Sequence, residues 1–136
     1  MGKNCSVECN ISCILRVAIA ALFAVAAAGK FMGGVDGVVT QITGMFKDSF
    51  LPSGLVALYA RLLPWAEAAI AIWLITGVRL KEAWIFTAAV LISLAFGLAV
   101  AKAPMVADLY TYILIACIGL YFSEHDKCTI EKFLKK

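Results

Sequence analysis

Four long apolar runs constrain this chain more than any other feature. Ile11 to Gly29 is broken only by Arg16, and Leu62 to Val78 only by Glu67. Ala83 to Ala101 carries no charge, and Ala103 to Ser123 holds only Asp108. A helix needs about 20 residues to cross a hydrocarbon core of about 30 Å. The runs therefore predict transmembrane helices over residues 11–31, 55–78, 83–101 and 105–123. The expected fold is all-α, an integral membrane four-helix bundle in up-down-up-down order.

Composition closes the soluble alternative. Of the 136 residues 63% are hydrophobic and 15% charged, whereas a soluble domain carries roughly a quarter charged residues. The length fits one transmembrane domain, 1–136, and leaves no room for a separate soluble catalytic domain. Any chemistry is then done in or beside the membrane, or by a partner. Nothing points to nucleic acid.

The first run is read as a retained helix, since its flank holds three cysteines and Glu8 rather than the basic cluster of a signal peptide. Ala20, Ala24 and Ala28, with Ala95 and Ala99, recur every fourth position, a spacing that lets helices approach closely in lipid. These are packing features, and association into an oligomer is compatible with them. The first connection, about residues 30–54, mixes apolar residues with Asp36, Lys47 and Asp48 and is expected to lie partly in the membrane interface. The next two connections are short, which makes the second and third helices an antiparallel hairpin.

Orientation follows from the flanking cations, because positive loops stay cytoplasmic. One side holds Lys3, Arg79, Lys81, Lys127, Lys132, Lys135 and Lys136, and the other Lys30, Lys47, Lys102 and nearby Arg61. Both termini are expected in the cytoplasm, with the protein in the cell (inner) membrane. That side also carries Cys5, Cys9, Cys13 and Cys128, where disulfides are rare. Cys5, Cys9 and Cys13 are spaced i, i+4, i+8, and Arg16 extends their stripe. A guanidinium one turn away favours the Cys13 thiolate, which makes Cys13 a candidate catalytic residue. The competing reading is that these cysteines are small hydrophobes at an interface. A metal site would need Cys128 and His125 to meet the N-terminal thiols, and none is expected.

Glu67 is the other candidate catalytic residue. An ionisable group near the bilayer centre costs about 2.5–3.5 kcal/mol on insertion scales and is a functional hypothesis by default. Twelve residues into a helix starting near Leu55, Glu67 must be protonated or find a donor. Lys30, at the end of the first helix, is the candidate donor. Two readings stay open: a buried pair that fixes helix register, and a proton-accepting group beside a small-molecule site. Lys30, Glu67, Trp65 and Tyr110 are the cofactor-binding candidates, with Tyr59, Trp73 and Tyr112 as further aromatics. Quinone is the ligand such a site suits, since its reduction consumes protons that a carboxyl can deliver. Asp108 is expected to serve as a helix N-terminal anion.

The stretches ILRVAIAALFAVAAAGKF and LPSGLVALYARLLPWAEAAIAIWLITGVRLKEAW resemble the DoxX and MauE group of small four-helix membrane proteins. Arg16, Gly29, Lys30, Glu67, Gly77 and Arg79 stand on the positions that carry the likeness. The terminal cysteine and glycine motif of MauE is not found, so the expectation is the broader, DoxX-like group. The resemblance implies a membrane subunit of a redox assembly. Such a subunit would pass electrons between thiol or sulfur chemistry, or a soluble redox partner on the cytoplasmic face, and the quinone pool. The alternative is a non-catalytic scaffold or maturation factor for a partner redox enzyme.

Overall fold

The computed structural model describes residues 7–104 and 106–126, apart from the His125 side chain. Five α-helices follow one another: α1 (Val7–Met32), α2 (Val35–Met45), α3 (Ser53–Thr76), α4 (Leu80–Val100) and α5 (Val106–Phe122), closed by a short 3-10 turn at Ser123–His125. Three of them, α1, α3 and α4, are long and apolar enough to cross a membrane. The fourth apolar run forms α5, which at 17 residues is about 25 Å long.

Sequence punctuation sets the helix ends. Gly34, at φ 83°, stops α1 from running straight into α2, a conformation that costs glycine little. Pro52 precedes α3, and Gly77, at φ 68°, ends it by donating its N–H to the Trp73 carbonyl. That left-handed glycine terminus is a common helix stop. The indole N–H of Trp73 donates to the Val78 carbonyl at 2.6 Å, pinning the turn into α4.

Around the bundle α1 lies beside α3, α3 beside α4, α4 beside α5 and α5 beside α1. The core takes Ile19, Ala20 and Phe23 from α1, Ile70, Ala71 and Leu74 from α3, Trp84 and Leu91 from α4, and Ala116 from α5. Trp84 is fully buried. It fits because Gly119 faces it: a Cβ there would stand 2.5 Å from the indole ring. Large apolar side chains also point outward on α1, α3, α4 and α5, among them Ile14, Leu58, Leu62, Ile92, Phe96 and Leu114. So much exposed oil on all sides suits a hydrocarbon surrounding.

The structure adds two details to these readings. The first connection is mostly helix: Val35, Val38, Val39, Ile42, Thr43 and Phe46 are its half-buried positions. Their i, i+3, i+4, i+7 spacing gives α2 an apolar face, and that face packs on α3. The alanine stripe also splits. Ala20 and Ala95 are buried, whereas Ala24, Ala28 and Ala99 face outward. Phe23 and Ala27 occupy the inward positions of α1 at that level.

Candidate intramembrane site

One stripe of α1 runs Cys9, Ser12, Arg16, Ile19, Ala20, Phe23 and Ala27 along its buried face. The next position at helical spacing is Lys30, in the last turn. There the partial negative charge of the helix C-terminus favours a cation. The stripe thus carries a cation toward each end, about 21 Å apart over fourteen residues. Each cation meets a carboxylate from another part of the chain.

Lys30 meets Glu67. Its Nζ lies 2.7 Å from Oε1 and 2.6 Å from Oε2, so both carboxylate oxygens are engaged by one ammonium group. The Glu67 side chain is 5% exposed and that of Lys30 24%, which leaves the cation as the accessible half. Glu67 lies fourteen residues after Ser53, about 21 Å into a helix about 36 Å long. The pair therefore sits near mid-helix. Trp65 meets Phe31 edge-on beside it, with ring centroids 5.0 Å apart.

The helix break lies one turn beyond the pair. Lys30–Glu67, Phe31–Trp65 and Asp36–Arg61 step forward along α1 and α2 while stepping backward along α3. The two helices thus act as one interrupted element antiparallel to α3. Irregular backbone at membrane depth is tolerated where protein covers it or where it lines a cavity. Lys30 adds a positive group beside the carbonyl end of α1.

Arg16 meets Asp126, which follows the 3-10 turn. Its Nη1 lies 3.3 Å from Oδ2 of Asp126, and the Ser12 hydroxyl donates to the same oxygen at 3.0 Å. The Arg16 and Asp126 side chains are 6% and 0% exposed. In this cluster the guanidinium one turn from Cys13 is engaged by a carboxylate. Cys9 is buried and Cys13 half-buried. Cys5 and Cys128 lie outside the described residues.

Of the cofactor-binding candidates, Lys30, Glu67 and Trp65 come together. Tyr110 stands on the exposed surface of α5, a helix that packs on α4 and α1. Trp73 serves the α3–α4 turn, and Tyr112 packs against the core. Asp108 lies in the first turn of α5. Sequence reasoning missed Ser12, Phe31 and Asp126. Ser12 carried a usable signal, standing one turn before Arg16 on the same stripe.

A family model described as methylamine utilisation protein MauE matches residues 8–105. The chain belongs to the MauE family. No curated protein and no solved structure shows a significant match. The MauE match takes in α1 to α4, and with them Arg16, Lys30 and Glu67. Asp126 falls beyond it. The intramembrane pair is therefore built wholly from the MauE region, whereas the Arg16 cluster joins that region to a residue outside it.

Proposed function

We propose that this MauE-family protein is a multi-pass membrane scaffold or maturation factor for a partner redox enzyme, with α5 as a fourth span and both termini cytoplasmic. The observation that carries the reading is the Lys30–Glu67 pair, whose carboxylate has both oxygens bound to one ammonium group. Such a group serves as a register lock between α1 and α3. The thiols do not adjoin it: Cys13 is seventeen residues from Lys30 on one helix, about 26 Å. The family's description, methylamine utilisation, points to an amine-oxidising enzyme as the partner class. The excess of cations on the predicted cytoplasmic side favours docking there.

A second reading has its own support. Lys30 keeps a quarter of its side chain exposed, so a quinone or another small acceptor can approach the pair, with Glu67 delivering the protons that quinone reduction consumes and a soluble redox partner supplying the electrons. The combined substitution Lys30→Met with Glu67→Gln separates the two readings. A scaffold whose fold survives should still support assembly and activity of the partner enzyme. If assembly persists while electron transfer to quinone is lost, the scaffold reading fails. Orientation is checked with an impermeant thiol reagent, which should reach Cys13 only after lysis.

A further inference from the structure

A cavity of about 260 Å³ opens between α2, α3 and α4. Its walls include Ile42, Phe46, Leu55, Tyr59, Leu63 and Gly97. On α3 it reaches from Leu55 to Leu63, about 12 Å along the helix. Met45, Leu55 and Phe96 border it and are themselves exposed, so it opens toward the surrounding hydrocarbon. A dry apolar cavity of about 150 Å³ holds a benzene molecule. This one has room for a longer, narrow apolar group.

Two hydroxyls stand in the wall, and their protons are already used. Tyr59 and Ser93 lie 2.7 Å apart, and Ser93 donates to the Val90 carbonyl at 2.7 Å. Tyr59 must then be the donor to Ser93. No hydroxyl proton is left for a ligand carbonyl, so a quinone ring would enter without a hydrogen bond while an alkyl chain loses nothing. The chemistry of the wall selects hydrocarbon.

Charge at one end of the cavity selects the rest of the molecule. Phe46 and Gly97 flank that end: a Cβ on Gly97 would stand 3.5 Å from the Phe46 ring. Lys47 follows Phe46 directly, and Lys102 lies just past the end of α4; both are exposed. Asp48, also exposed, is the acid beside them. On the elements that wall the cavity the two lysines thus outnumber the acid at this end, and Asp108 stands on α5, outside the wall.

We propose that this cavity holds one acyl chain of an anionic phospholipid, with the lipid phosphate near Lys47 and Lys102. The site is independent of the scaffold reading. It adds a lipid to the α2–α3–α4 contact, where α2 has no fully buried residue of its own.

The test uses the full chain in nanodiscs, with phosphatidylglycerol and phosphatidylcholine spin-labelled on the acyl chain. The expected result is a saturable immobilised component of about one lipid per protein, with phosphatidylglycerol preferred about fivefold, the effect of roughly one surface charge. Gly97→Leu fills the cavity and should abolish that component. Lys47→Gln with Lys102→Gln alters only exposed side chains and should bring the two lipids to equal occupancy while the immobilised component remains. The absence of a saturable component in the parent overturns the proposal, as does equal preference for the two lipids. An isoprenoid quinone displacing the labelled lipid at equimolar amounts overturns it too, and assigns the cavity to a quinone tail.

Discussion

Two ion pairs anchor α1, and they differ in how far they are sealed. Arg16–Asp126 is closed from all sides and shares its carboxylate with Ser12, whereas Lys30–Glu67 leaves a quarter of its cation open. Breaking a sealed pair strands a charge without water, which costs far more than the pair's net contribution to stability. An open pair retains an escape, since its cation can turn toward a cavity, water or a ligand. The sealed pair is thus suited to fastening the fold, and the open one is where a ligand could intervene.

The largest expected effect tests the sealed pair. Asp126→Ala should lower stability by about 4–5 kcal/mol, the upper end for a broken buried pair, read from the midpoint of unfolding in mixed micelles. Ser12→Ala should cost less, about 1.5–3 kcal/mol, the loss of one hydrogen bond to a charged group. Next comes Lys30→Met, expected at about 3 kcal/mol, the lower end for a broken buried pair, because the Lys30 side chain is a quarter exposed. Adding Glu67→Gln should restore most of that loss. A Lys30 penalty larger than that of Asp126 would reverse the ranking and remove the argument from exposure.

Gly119→Ala measures the apolar core on the same scale without touching a charge. Its methyl group would overlap the Trp84 ring, and overpacking of this kind costs about 1–3 kcal/mol. The same unfolding assay reads it, and an unchanged midpoint would mean that the ring has room to move. The smallest effect belongs to Arg61→Gln. Its pair with Asp36 is exposed on both sides, at 63% and 92%, and exposed pairs contribute about 0–1 kcal/mol. A loss beyond that range would show that the α2–α3 junction is shielded when in place in the membrane.

How much of this was legible in the sequence follows the same division. Lys30 and Glu67 stand out because each is isolated in oil, so the search for a partner had few candidates, and helix length placed them at compatible depths. Asp126 does not stand out. It lies in HDKCTIEKFLKK, a charged stretch where a buried acid has no signature, and its partner is 110 residues away. That missing contact is also why Arg16 was assigned to Cys13. The four apolar runs gave the bounds of α1, α3, α4 and α5 to within a few residues, the ordinary uncertainty of helix ends. Helix α2 was readable from Val35, Val38, Val39, Ile42 and Phe46, but Asp36, Lys47 and Asp48 drew attention to the interface instead. The cavity had no linear signal, since three helices supply its wall.

The reach of the Arg16–Asp126 contact also sets a timetable for synthesis. Ribosomes deliver the chain from its N-terminus at about 5–20 residues per second. Lys30 can therefore find Glu67 as soon as α3 has emerged, while α4 and α5 are still to be made. Arg16 must wait until the segment beyond α5 has been made, because Asp126 follows the 3-10 turn. A chain stalled after α4 would hold the central pair and lack the Arg16–Asp126 contact, so the two anchors of α1 form at different stages of synthesis.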